Sequence, residues 1–428
     1  MTASAHIDSY YAASANSAPD HPPLRGDVEA DVCVVGGGLA GCATALELAE
    51  RGYKVVLLEG RRVGWGASGR SGGQAIAGFA CSQDKLVAQV GRDVAKQMFD
   101  VTVEALDLIR DRVARHRIDC DLHWGHLLTA IKPRQVLELQ AWQDELERDY
   151  GYGGTRWLER GELGQVLVTD RYIGGLRDDR SGHLHPLNYT LGLATAAEAA
   201  GVQICEQTEV VGVDDGPTVR VRTRDGATVR ARHVALCCNA FIDARLSRHL
   251  RNRIMPVGTY IVATEPLGRE RIESLVRENV AVSDVNFVLD YFRRSADHRL
   301  LFGGRVSYSG RDAFNTSHAT RVRMLKVFPS LADVKIEYAW GGHVDITMSR
   351  APDFGRLAPN VYYLQGFSGH GIALTGMAGR LLATAIAGQA ERFDLFTRLE
   401  HRNFPGGPAL RMPALVLAML WFRLKDWL

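Results

Sequence analysis

Residues 31–42 read DVCVVGGGLAGC, and the fold follows from how that stretch is parsed. Residues 31–35 form an apolar, β-branched run suited to a buried parallel strand, and residues 39–51 repeat apolar side chains at helical spacing before stopping at Gly52. Between them Gly36, Gly38 and Gly41 stand in the spacing GxGxxG. The first permits a tight turn, the second lets a pyrophosphate reach the backbone, and the third lets helix and strand pack closely. The helix start, at Leu39 and Ala40, offers unpaired N–H groups and a partial positive charge to phosphate. A second apolar strand over residues 54–58 ends in Glu59, 18 residues after Gly41, where a carboxylate accepts from both hydroxyls of an adenosine ribose. Strand, loop, helix, strand and acid fall in order, which predicts an α/β, Rossmann-type domain that binds a dinucleotide.

NAD and FAD share that fingerprint, so the next segment has to separate them. Residues 64–74, GWGASGRSGGQ, follow directly where a domain for NAD alone would begin its next helix. So many small side chains suit a loop pressed against an extended cofactor, with Ser68, Arg70 and Gln74 placed for phosphate, ribityl or ring contacts. A flexible surface loop is the plainer alternative. A third glycine motif sits near the other end, where the apolar run 361–364 enters QGFSGHGIALTGMAG. A helix is expected to begin near Gly371, with its positive end facing the pyrimidine edge of a flavin and stabilising the charge that gathers there on reduction. His370 in that turn is a candidate for the same role, or a structural hydrogen-bonding group.

The middle of the chain reads as framework. Residues 209–241 form short strands in which Val219, Val221, Val229 and Ala231 alternate with Arg220, Arg222, Arg230 and Arg232 across an Asp225-Gly226 turn. The arginines then line a solvated face, not a nucleic-acid patch. Cys237 and Cys238, adjacent at a strand end, point to opposite sides and make a poor redox pair. Helical stretches are expected over residues 93–116 and 135–150, and strand-like ones over 254–264 and 286–303.

Composition narrows the function. The chain has 428 residues, 46% of them hydrophobic, enough for two or three domains with a large core. A net charge of +2 argues against nucleic acid or an anionic membrane as partner. The seven cysteines lack zinc-like spacing, so no metal is expected, and with no signal peptide recognised the expected location is the cytoplasm. Residues 1–27 read as an arm lying on the surface, and 413–422 as an apolar terminal helix too short to span a membrane.

The segments DVCVVGGGLAG, GWGASGRSGGQ and GFSGHG, in that order, resemble the FAD-dependent D-amino-acid oxidase and sarcosine oxidase family. Further segments, SYYAASAN, HLHPLNYTLG, LDYFRRSADHRLLFGG, DVKIEYAWGGHVDITMSRAPDFGRL and FPGGPALRMPALVL, extend the likeness along nearly the whole chain, toward the branch that oxidises gamma-glutamylated amines. The resemblance implies an FAD-binding domain built from residues 28–90, 170–245 and 335–395, and a substrate domain on an antiparallel sheet from 91–169 and 246–334, with 396–428 as a tail. It carries cofactor contacts onto Gly36, Gly38, Leu39, Ala40, Gly41, Glu59, Gly60, Arg61, Ala67, Ser68, Gly72, Gly73, Gln74, Val210, Asn239, Gly369, His370, Gly371 and Ile372.

The chemistry it implies is hydride loss from a C–N bond to flavin N5, hydrolysis of the imine, and reoxidation by oxygen or another acceptor. For gamma-glutamylputrescine the product is an aldehyde that keeps its glutamyl cap. A sarcosine or D-amino-acid substrate is the alternative, and a flavoprotein subunit without turnover a remote one. Sarcosine oxidases hold flavin through a cysteine a few residues before a Pro-Asp step; here VDITMSRAPD has none, so the FAD is expected to be non-covalent. They also place a lysine near the flavin, where this chain has Gly303 and Gly304, with Arg305 beside them as a catalytic candidate. Arg293 or Arg294, next to Tyr291, could meet a substrate carboxylate. His183 and His185 are candidates near the ring or caps, and Trp340 either walls an alkyl tunnel or sits in the core.

Overall fold

The computed structural model describes residues 5–286, 289–307 and 314–405. Its first layer is an eight-stranded sheet ordered Asp353–Ala358, Val361–Gln365, Thr228–Leu236, Asp27–Val35, Val55–Leu58 and Gln203–Cys205, with Val219–Thr223 and Val210–Asp214 branching from Thr228–Leu236. The five strands from Val361–Gln365 to Gln203–Cys205 run parallel. Val32 to Val35 and Val55 to Leu58 are at most 5% exposed, because helices cover one face of these strands and the branching β-layer the other. The helix Leu39–Ala49 packs against Gly371–Ile386 and Pro186–Ala199, and Arg92–Arg115 against Gly371–Ile386.

The arginine alternation holds: Val219, Val221, Val229 and Ala231 are fully buried while Arg220, Arg222, Arg230 and Arg232 are exposed. Cys237 packs into the helix-side core and Cys238 against the opposite one, and all seven cysteines are free.

A nine-stranded sheet forms the second layer, ordered Ile336–Thr347, Ile254–Thr264, Leu300–Ser307, Tyr291–Arg294, Ala281–Asp284, His123–Ala130, Gly174–His183 and Gln74–Ala75, with Thr155–Glu159 beside Gly174–His183. Pairing is antiparallel except between Ala281–Asp284 and His123–Ala130. Its outer face buries Phe292, Phe302 and Phe328, with Phe292 and Phe302 stacked at 5.6 Å. The boundaries expected at 169/170 and 334/335 cut this sheet short, since Gly174–His183 and Ile336–Thr347 belong to it. Residues 286–303 are not one extended run. Tyr291–Arg294 and Leu300–Ser307 are antiparallel partners joined by a turn without glycine, in which His298 takes φ +64° and Ser295 Oγ accepts from Arg299 N at 2.9 Å.

The arm corrects a second expectation. Ser9 caps a short helix, Tyr10–Ala13, through Ala12 N at 3.1 Å, and Tyr11 is fully buried against Trp340 and His185. A stretch this short has no periodicity to betray that it docks. The terminal run 413–422 lies outside the described residues. No single helix among the described residues is long and apolar enough to cross a membrane, and none of their His, Cys, Asp and Glu side chains cluster as a metal site would require.

Tyr11→Ala should lower stability by about 3–5 kcal/mol, the range for truncating a buried aromatic residue. Chemical denaturation of the variant and the parent protein measures this; a change within the ±0.5 kcal/mol typical of surface positions would mean that the arm only rests on the surface.

Candidate active site

The turn after Asp27–Val35 leaves no room for side chains. A Cβ on Gly41 would stand 1.8 Å from Gly36 O, and one on Gly36, where φ is +111°, 2.6 Å from Cys237 O. Gly38 faces Ser68, whose Oγ accepts from Leu39 N at 2.9 Å, so the second glycine cluster is folded directly over the helix start. Glu59 accepts from Gly37 N at 2.6 Å and Arg61 N at 2.8 Å, which aims its carboxylate across the mouth of the turn. Gly60 lies against Glu209, the residue before Val210. Ala67 begins a short 3-10 turn that carries the chain to Gly72 and Gly73.

Gly72 to Gln74 form a strap held from behind. The Gly73 carbonyl accepts from Leu184 N at 2.9 Å, and a Cβ on Gly72 would meet the Tyr291 ring at 2.6 Å. Beyond the strap opens a cavity of about 580 Å³. Gly72, Gly73, Gln74, Tyr291, Gly369, His370 and Ile372 line it on the cradle side, and the inner face of the second sheet closes it. Arg70 Nη2, Ser71 Oγ, Asn239 Oδ1 and His370 Nδ1 are buried polar atoms without partners. Buried polar atoms normally find partners, and these lie between the glycine turn and the helix Gly371–Ile386. Phosphate, ribityl hydroxyls and a polar ring edge would supply what they lack, so the cradle fits FAD.

The sequence candidates divide. His370 precedes the helix Gly371–Ile386 without capping it, and burial, with Arg350 nearby, pushes its ring down to about 4, so it is neutral near pH 7. Arg293 does not line the cavity; it is 2% exposed and donates to Gly72 O at 3.1 Å, Leu184 O at 3.1 Å and Tyr11 Oη at 3.3 Å. Arg294 pairs with Glu273 outside the cavity. His185 caps the helix Pro186–Ala199 by accepting from Asn188 N at 3.1 Å, and His183 Nε2 sits 3.3 Å from Asn279 O. Trp340 is a core residue whose Nε1 donates to Arg70 O at 2.9 Å. Arg293, His183, His185 and Trp340 all hold the strap and its surroundings from behind. Arg305 belongs to Leu300–Ser307 by its backbone, and its side chain lies outside the described residues.

Arg350, His126, Ser283 and Asp284 line the cavity and were not anticipated. Arg350 has φ +64°, rare for a side-chain-bearing residue and a mark of functional loops, but a backbone angle is invisible in sequence. Four carboxylates, on Asp84, Glu145, Asp178 and Asp284, line the cavity against two guanidiniums, on Arg70 and Arg350. Burial and the neighbouring Asp290 raise Asp284 to about 7.

Residues 31–385 match the family profile described as FAD dependent oxidoreductase (DAO). The chain belongs to that family. This FAD-dependent oxidoreductase is 41% identical to gamma-glutamylputrescine oxidoreductase of Escherichia coli over 421 residues, covering 98% of each chain. It is 42% identical to a probable oxidoreductase OrdL of Haemophilus influenzae, covering 98% of this chain and 97% of that one. The crystal structure of glycine oxidase from Geobacillus kaustophilus superposes with a TM-score of 0.71 at 22% identity, covering 85% of this chain and 95% of the other, a likeness of fold.

Replacing Glu59 by Ala should weaken FAD binding by roughly 10- to 100-fold, the loss of charge-assisted hydrogen bonds worth about 1.5–3 kcal/mol. Flavin fluorescence released on dilution reads that loss; unchanged retention of FAD would remove Glu59 from the cradle.

Proposed function

We propose that this oxidoreductase oxidises a C–N bond of a gamma-glutamylated amine, with gamma-glutamylputrescine as substrate and the glutamyl-capped aldehyde as product. The full-length likeness to the Escherichia coli enzyme carries the reading. The cavity supports it: an acidic lining that also holds the Arg350 guanidinium suits a substrate whose cap bears an ammonium group and a single carboxylate. When bound, FAD supplies the two-electron acceptor for the C–N bond. The protein's part is placement. Tyr291 and the bare backbone at Gly304 shape the wall beside the strap, while Arg350 is the guanidinium that would meet the glutamyl carboxylate. Asp84 and Glu145 lie close enough to repel each other, which favours a cation between them and makes them the partners of the cap's α-ammonium group.

The neutral His370 and the N–H groups opening the helix Gly371–Ile386 present donors and a positive dipole end. No cysteine stands between Val344 and Asp353, and we read the FAD as non-covalent.

Anaerobic addition of gamma-glutamylputrescine should bleach the flavin absorbance, while putrescine, sarcosine and D-alanine at equal concentration should not. Bleaching by sarcosine or D-alanine alone would overturn the substrate. Arg350→Met should raise KM for the capped amine about 10-fold or more, as expected for a lost charged hydrogen bond, and leave any slow turnover of free putrescine unchanged. Acid precipitation should leave the flavin in the supernatant; a yellow pellet would mean a covalent bond.

A further inference from the structure

A hydrogen-bond chain runs from the strap into the cavity wall, and its proton order can be read from its geometry. Gln74 Nε2 donates to Val282 O at 3.2 Å, which turns the amide so that Oε1 is an acceptor. Ser283 Oγ donates to that oxygen at 3.0 Å. A hydroxyl has one proton, so toward His126 Nε2, 3.2 Å away, Ser283 Oγ can only accept. The His126 ring therefore carries its hydrogen on Nε2 and its lone pair on Nδ1. That nitrogen has no hydrogen-bond partner among the described residues and is not sealed, and the ring lines the cavity together with Gln74 and Ser283.

We propose that His126 binds the reacting amine of the substrate, its Nδ1 accepting an N–H from the uncharged nitrogen, with Ser283 and Gln74 as positioning residues that fix the tautomer. The proposal rests on the amine-oxidation reading above. It names one acceptor next to the strap where that reading names only the ends of the substrate.

The surroundings favour a neutral ring. His126 is 7% exposed, and burial lowers it to about 4. The ionisable groups about it are Asp178 on Gly174–His183, Asp284 beside Ser283, and His370 at the cradle. Asp178 favours the protonated ring, but burial outweighs it, and its carboxylate is already engaged by Tyr152 Oη at 2.8 Å, Ser181 Oγ at 2.5 Å and Arg180 N at 2.9 Å. A ring this weakly basic accepts a hydrogen bond but does not take the proton of an alkylammonium ion. The amine arrives deprotonated, no proton moves in the binding step, and oriented N–H acceptance leaves the adjacent C–H bond free to face the strap.

The test is made on the FAD-loaded protein with ¹⁵N-labelled histidine. His126 should show the Nε2–H tautomer from pH 6 to 9, and adding gamma-glutamylputrescine to dithionite-reduced protein, where no turnover occurs, should shift its Nδ1 resonance. In anaerobic mixing, His126→Leu should lower flavin reduction at subsaturating amine by 10-fold or more, and His126→Asn, which keeps an acceptor near the Nδ1 position, should recover most of it. Both should retain FAD stoichiometrically. Ser283→Ala should leave the ring a mixture of tautomers and cost a few-fold. A lone pair on Nε2, an unmoved Nδ1 resonance, or a His126→Leu variant with unchanged amine affinity would overturn the proposal. If no amine bleaches the parent protein, the amine reading itself fails, and the tautomer measurement shows separately whether the relay exists.

Discussion

Main chain approaching main chain at Gly36 and Gly41 is the constraint on which the cradle depends. With 1.8 Å available to a Cβ on Gly41, any side chain there would drive the helix Leu39–Ala49 off the strand Asp27–Val35. The helix start would then no longer point its N–H groups at one spot, and Ser68 could not reach Leu39 N. The same economy recurs where the last long helix crosses the first. A Cβ on Gly379 would come within 2.7 Å of Thr44 N, so the helix Gly371–Ile386 can lie close to Leu39–Ala49 only because that position is bare. That crossing delivers His370 and Gly371 to the far end of the cradle. One packed pair of helices thus sets both ends of the cradle that FAD would occupy.

The strap between those ends depends on the second layer. Arg293 is a buried cation without a carboxylate partner in close contact; Asp121 is 3.9 Å away, and its bonds go mainly to carbonyls and to Tyr11. Burying a guanidinium is costly unless its donors are used, and here they tie Gly72, Leu184 and the N-terminal arm into one unit. Trp340 reaches the same loop from the other side through Arg70 O. The arm, the second sheet and the strap are therefore mechanically coupled, and the cavity keeps its shape because its supports lie behind it and not in it.

Much of the first layer was legible in the sequence because its signals are local. The strand, glycine turn, helix and acid at residues 31–59 lie within one short segment, and the arginine alternation after Val219 records which face is wet. The helix expected over residues 135–150 runs over Pro133–Tyr150, and the strand expected over 254–264 over Ile254–Thr264. The cavity was legible only on its cradle side. Arg293 and Trp340 have the chemistry of ligand contacts, but which way a buried arginine or tryptophan turns is settled by carbonyls supplied from distant segments, Gly72 and Leu184 for one and Arg70 for the other. His126 was missed for the converse reason: it looks like any histidine in a strand until Ser283 and Gln74, 157 and 52 positions away, are brought against it.

A crystal structure of the FAD-loaded protein would test the central claim most directly. The adenosine ribose should sit on Glu59, the pyrophosphate over Gly38 to Ala40, and the ring between the strap Gly72 to Gln74 and the backbone N–H groups of Gly371 and Ile372, with one face open to His126 and Tyr291. A ring lodged elsewhere, or turned so that its pyrimidine edge faces away from Gly371, would contradict it.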